Sequence, residues 1–222
     1  MPDPIHGARF LHEVYTRAQP NYTGRVTVPV LWDKSTDGLV NNESSEIIRM
    51  LNSEFRGIAG DDTDYYPPEL RAEVDRVNAI VYANVNNGVY RCGFAKSQAA
   101  YEASYDALFA TLDELEARLA RQRYLLGQAI TEADWRLFPT LVRFDVAYFS
   151  LFRCNKKRIA DYPNLSNYMR ELYQMSGVAE TVKARYYVIN YWSIARLNPM
   201  GIIPKGTPVD YSGPHDRARL AS

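Results

Sequence analysis

Of the 222 residues, 17 are tyrosine, 2 are cysteine and 3 are histidine. These are the side chains with the most to offer proton or thiol chemistry. A phenol is a rigid aromatic body with a polar tip that can donate or accept one hydrogen bond. A thiol becomes a nucleophile only as the thiolate. Cys92 and Cys154 are too few for a disulfide scaffold and suit a reducing cytosol. His6, His12 and His215 lack the spacing of metal ligands, so no metal is assigned.

Composition narrows the function classes. Lys+Arg and Asp+Glu both total 26, for a formal net charge of zero, and no basic stripe speaks for nucleic acid. No apolar run approaches the ~18 residues that span a bilayer. The N-terminal MPDPIHGARF has no charged region followed by an apolar one, so the reading is of a cytoplasmic protein without a secretory signal. The sequons at Asn21 and Asn164 then carry no meaning.

The elements that must hold these residues divide at about residue 56. Phe10, Leu11, Val14 and Tyr15 share one face of a short helix ending before Pro20. Residues 25–33, RVTVPVLWD, are β-branched and apolar and predict a strand, with Pro29 marking a start, an edge or a bend. Gly38–Asn41 predicts a second strand and hence a hairpin. Asn42 is the expected cap of a helix with Ile47, Ile48, Met50, Leu51 and Phe55 on its apolar face. From Pro67 onward the period is helical. A break is expected at Asn86–Gly88, a long amphipathic helix over 97–126, and a capping box at Thr131–Asp134 opening an aromatic-rich helix to Phe152. The expected divisions are 1–56, a linker 57–67, a helical domain 68–195 and an irregular tail 196–222. The fold class is α+β and mostly helical.

Longer strings are more specific: GRVTVPVLWD (24–33), NNESSEIIRM (41–50), NNGVYRCGFA (86–95), TEADWRLFPTLVRFD (131–145) and NPMGIIP (198–204). Together they resemble the glutathionyl-hydroquinone reductases, the Xi class of glutathione transferases, from about Phe10 to Arg217. The resemblance implies a partial thioredoxin-like hairpin and helix joined to an all-helical transferase domain. It implies a homodimer with glutathione as co-substrate and glutathionyl-quinols as small-molecule partners, and no nucleic acid or membrane partner. It also implies a reaction in which a cysteine thiolate attacks the glutathionyl sulfur of a glutathionyl-hydroquinone. Hydroquinone leaves, and a second glutathione frees the enzyme as glutathione disulfide.

Residue by residue, the resemblance makes Tyr90 the proton donor and Tyr148 and Tyr191 the phenols that tune the cysteine. Arg25, Val26, Thr27 and Val28 would hold glutathione along a backbone edge, and Glu43 and Ser44 would take its γ-glutamyl end at a helix N-terminus. The run at Asn190–Ile194 departs from the family pattern. The family's Cys-Pro-Trp nucleophile motif does not occur in these residues. Either an upstream segment of a longer protein carries it, or this is a shortened paralogue that binds or dimerises without chemistry. Cys92 as a replacement nucleophile and a conjugating transferase are the remaining alternatives.

Overall fold

A computed structural model describes residues 2–60, 62–205 and 210–220, in two compact units, 1–64 and 65–222.

In the first unit, helix α1 (Leu11–Ala18) is followed by an antiparallel hairpin of β1 (Leu31–Asp33) and β2 (Gly38–Asn41), with Trp32 opposite Leu39. The expected strand over 25–33 is cut to its last three residues. Pro29 has no N–H for a ladder, and the N–H and carbonyl of Thr27 are both taken by the Tyr15 hydroxyl, at 3.2 and 2.7 Å. The hairpin turn is built from side chains. Asp33 accepts the Ser35 N–H (2.8 Å) and the Ser35 and Thr36 hydroxyls (2.7 and 2.8 Å). Asp37, at φ 48°, receives Arg17 from α1 at 2.6 Å.

Helix α2 (Ser44–Ser53) begins one residue later than the sequence suggests, with Glu43 at the N-cap. The Asn42 amide is used instead on the Tyr15 hydroxyl, at 3.0 Å. A one-turn helix α3 (Arg56–Ala59) stands where a loop was expected.

The second unit is helical. A 3₁₀ turn, Pro68–Leu70, leads into α4 (Arg71–Val81), which passes through a π-turn, Tyr82–Asn86, into α5 (Gly88–Gly93). The break expected at Asn86–Gly88 is therefore a widened turn in a continuing helix. Helix α6 (Gln98–Leu119) starts at Ser97, whose hydroxyl accepts the Ala100 N–H, and buries Leu108, Leu112, Leu115 and Leu119 along one stripe. It stops seven residues short of the expected 126, because 120–127 turn back on themselves.

Helix α7 (Glu132–Arg143) opens on the expected box: Asp134 accepts the Thr131 N–H at 2.8 Å and its hydroxyl at 3.0 Å. Asp134 also accepts the Leu125 N–H and the Tyr168 hydroxyl while fully buried. Pro139 lies inside α7, and the Arg136 carbonyl takes a hydrogen bond from the Asn86 amide at 3.1 Å. A second π-turn, Phe144–Tyr148, follows. Helices α8 (Pro163–Gln174), α9 (Val178–Thr181) and α10 (Ala184–Trp192) complete the unit.

Among its described residues the tail is irregular but for a 3₁₀ turn, Arg217–Leu220. Its Arg217 is fully buried and donates to the carbonyls of Leu119 and Gln122, each at 2.7 Å, and to that of Arg123. Among the described residues no helix is long and apolar enough to cross a membrane.

Candidate functional site

Three tyrosines far apart in sequence converge in the helical unit. Tyr90 lies on α5, Tyr148 closes the second π-turn and Tyr191 lies on α10. The Tyr191 hydroxyl sits 2.7 Å from that of Tyr90 and 2.7 Å from that of Tyr148. Phe152 packs edge-on or tilted against all three, with ring centroids 5.2–5.7 Å away. Tyr148 and Tyr191 are 2% and 9% exposed, whereas Tyr90 is 39% exposed.

In each hydroxyl pair either oxygen can donate, so the chain can run either way. Burial, reinforced by the neighbouring Tyr90, pushes Tyr148 far above the ordinary phenol range, and burial does the same to Tyr191. Both inner phenols therefore stay protonated near neutral pH. With Tyr148 donating to Tyr191 and Tyr191 to Tyr90, the solvent-facing Tyr90 keeps its own O–H free to donate. The cluster can present a proton at Tyr90 while the inner hydroxyls keep theirs and hydrogen-bond the oxygen left behind.

The cysteines are placed otherwise. Cys92 shares α5 with Tyr90 but is fully buried, as is Cys154. The hydrogen bond to Cys92 and burial together push the Cys154 thiol far above its ordinary value. A thiol without solvent access cannot be reached by a bulky disulfide or thioether, so Cys92 is not positioned as a replacement nucleophile.

The residues expected to hold glutathione lie in the first unit. Val28 is 76% exposed, and its backbone N–H and carbonyl have no partner among the described residues. Arg25 offers its carbonyl to the Tyr22 hydroxyl at 2.8 Å, and Val26 is exposed. Thr27 is engaged with Tyr15, so its backbone supports the segment and has no free edge. Glu43 and Ser44 stand exposed at the start of α2, and the Glu43 N–H is held by Asn41 at 2.7 Å. Tyr15 ties these pieces together. Its buried hydroxyl bonds Thr27 beside Val28 and receives Asn42 beside Glu43. Sequence reasoning missed Tyr15 and Asn42 in this role, and Phe152 in the other cluster. Tyr15 lies 12 residues from Thr27 and 27 from Asn42, and Phe152 meets Tyr90 and Tyr191 from other helices, so no local pattern marks them.

Among known proteins, a family model described as the glutathione S-transferase N-terminal domain matches residues 3–54, and one for the C-terminal domain matches 98–171. A glutathionyl-hydroquinone reductase of Sphingobium chlorophenolicum is 54% identical over 207 residues, 93% of this chain and 66% of that protein. The chain thus spans just under two thirds of the length of such curated relatives. A glutathione-bound structure of a glutathione transferase homologue from Escherichia coli superimposes with TM-score 0.95 at 46% identity, covering 98% of this chain and 71% of the other. A Xi-class transferase from Natrialba magadii gives TM-score 0.95 at 43% identity, over 99% of this chain and 68% of that one. The chain belongs to the glutathione S-transferase family and, within it, to the Xi class of the glutathionyl-hydroquinone reductases.

Proposed function

We propose that this chain contributes glutathione binding and proton delivery to the reductive removal of glutathione from glutathionyl-hydroquinones. The observation that carries the reading is the Tyr90–Tyr191–Tyr148 hydroxyl chain, with its single exposed member. In the reaction a thiolate attacks the sulfur of the aryl thioether. A sulfur–sulfur bond forms, the aryl carbon–sulfur bond breaks, and the departing ring carbon must gain a proton. Tyr90 donates it and is reprotonated from solvent, while the Tyr191 hydroxyl, backed by Tyr148, steadies the Tyr90 phenolate with a hydrogen bond. A second glutathione then reduces the mixed disulfide and leaves as glutathione disulfide, so the two electrons come from the thiols and end in the new ring carbon–hydrogen bond. Val28 holds the cysteinyl backbone, with Arg25, Val26 and Thr27 shaping the same segment. Glu43 and Ser44 receive the γ-glutamyl ammonium and carboxylate. In this reading the protein works in a reducing cytosol as a homodimer. The nucleophile is a Cys-Pro-Trp cysteine outside these 222 residues.

The test measures turnover of a glutathionyl-hydroquinone by three proteins: the chain alone, the chain joined to a Cys-Pro-Trp segment, and the joined protein carrying Tyr90→Phe. The joined protein should turn over and the chain alone should not. Tyr90→Phe should lower kcat by about 10²-fold or more, the scale of losing a general acid. Full turnover by the Phe variant would remove Tyr90 from the reaction. Turnover by the chain alone that Cys92→Ser abolishes would make Cys92 the nucleophile.

A further inference from the structure

The π-turn Phe144–Tyr148 decides where the Tyr148 hydroxyl points, and side chains from outside the turn hold its backbone. A turn that leaves the regular helical register presents carbonyls at its rim, and such a carbonyl is costly away from water unless a donor meets it. Two are met here. The Trp192 indole N–H donates to the Val146 carbonyl at 3.1 Å. The Val142 carbonyl, two residues before the turn, accepts the Tyr211 hydroxyl at 3.0 Å and that of Tyr187 at 3.3 Å. Burial raises the Tyr211 hydroxyl above the ordinary phenol range and pushes Tyr187 up to about 12, so both stay donors at neutral pH.

These bonds sit beside the tyrosine cluster. Trp192 follows Tyr191 on α10, and Val146 precedes Tyr148 by two residues. Helix α10 therefore meets the turn twice, through Trp192 to Val146 and through Tyr191 to Tyr148. The first bond ties a rigid indole to backbone and so fixes the approach over which the second, between two hydroxyls, must form. Trp192 is itself held, because the Asn198 amide donates to its carbonyl at 2.6 Å. Tyr211 comes from the tail, where the Gln174 amide donates to its carbonyl at 2.8 Å and the Tyr173 ring packs edge-on against its own at 5.4 Å.

We propose that Trp192 and Tyr211 are positioning residues, which hold the π-turn so that Tyr148 stays within hydrogen-bond reach of Tyr191 and, through it, supports Tyr90. Their effect on turnover rests on the proton-delivery reading above; their effect on the turn does not.

Two measurements test this. In the 222-residue chain, amide hydrogen exchange is followed at Phe149 and Cys154, whose N–H groups are held by the carbonyls of Phe144 and Tyr148 at 2.8 and 3.1 Å. Trp192→Phe/Tyr211→Phe removes both donors and keeps an aromatic ring at each position. It should speed exchange at these two amides about tenfold or more and leave that of Leu112 on α6 within about twofold. In the chain joined to a Cys-Pro-Trp segment, the same pair should lower kcat about tenfold and leave KM for glutathione within about twofold. In a Tyr148→Phe background the pair should lower kcat no further, since the hydroxyl it positions is gone, whereas a loss from general loosening would multiply. Unchanged exchange at Phe149 and Cys154 overturns the proposal, and so does a kcat loss that multiplies with Tyr148→Phe. A joined protein that is inactive with all its tyrosines in place defeats the reductase reading, and the exchange measurement then decides the positioning role alone. Should the double variant unfold the chain, Trp192→Phe alone carries both comparisons.

Discussion

Substituting Gly93 by alanine sets two opposed effects against each other at the centre of the tyrosine cluster. Gly93 ends α5 with helical backbone, where Gly→Ala ordinarily stabilises by up to about 1 kcal/mol. A methyl group there would stand 2.6 Å from Cγ and 2.8 Å from Cδ2 of Phe152, against 3.4 Å for ordinary contact. The ring must give by about 0.8 Å. It is fully buried among Tyr90, Tyr148, Tyr191 and Phe94, and the Gly93 carbonyl is held by Arg153 at 2.8 Å, so neither side moves freely. Overpacking of this kind costs about 1–3 kcal/mol. The clash wins, and Gly93→Ala should destabilise by about 1–2 kcal/mol net, a fall in Tm of roughly 2–8 °C for a unit of this size. Phe152→Ala removes both clashing atoms, at its own cost of about 3–5 kcal/mol. In that background Gly93→Ala should be neutral or stabilising, which gives a coupling of about 2 kcal/mol in a double-mutant cycle read by denaturant midpoints. A rise in midpoint for Gly93→Ala alone, or additivity within about 0.5 kcal/mol, would refute the reasoning.

Asp134→Ala should destabilise by about 3–5 kcal/mol, because the N–H groups of Leu125 and Thr131 and the Tyr168 hydroxyl all lose their buried acceptor; Thr131→Ala should cost only about 1 kcal/mol, and equal midpoints for the two variants would show that the box is held by something else. Arg217→Met should leave the carbonyls of Leu119, Gln122 and Arg123 without their donor and lower the unfolding free energy read by chemical denaturation by about 3 kcal/mol, while freeing the tail to limited proteolysis; unchanged cleavage would mean that the tail is held by other contacts. The Ser35 hydroxyl, then that of Thr36, holds the Asp33 carboxylate at about 2, below its ordinary 3.8. The stability it contributes is complete above 3.8 and is lost as pH falls through 2, so Asp33→Asn should flatten the acid dependence of Ser35 and Thr36 amide protection over that interval.

The regular parts of the fold were legible because local and tertiary demands agree there. Leu108, Leu112, Leu115 and Leu119 repeat at helical spacing and all are buried, and the Thr131–Asp134 box reads the same in sequence as in space. Reading failed where a side chain from elsewhere overrides the local choice. The apolar run at 25–33 has the composition of a strand, yet Tyr15, on another element, takes the backbone of Thr27. Asn42 is the better cap by propensity, but its amide serves Tyr15, and the helix start moves to Glu43. Both exceptions come from one buried hydroxyl, and both shape the segments given the glutathione-binding role.

The three tyrosines were named by resemblance alone; helical periodicity did not show that they converge, and for a different reason, though the sequence does carry a trace of it. Buried residues advance by four twice in succession in both stretches that build the site: Val81, Val85, Val89, and Phe144, Tyr148, Phe152. On a regular helix of 3.6 residues per turn each such step drifts about 40° from the buried face. Both runs stay buried because each contains a π-turn, closed by Asn87 N–H to the Tyr82 carbonyl (2.9 Å) and by Phe149 N–H to the Phe144 carbonyl (2.8 Å). The wider turns absorb the drift and rotate the next stretch of helix, which is how Tyr90 comes to face Tyr191 while Cys92, two residues on, is buried. Such turns concentrate at functional sites because they re-aim side chains without ending the helix. Two paired four-residue steps, each within four residues of a tyrosine of the cluster, are thus the sequence mark that periodicity at 3.6 alone passes over.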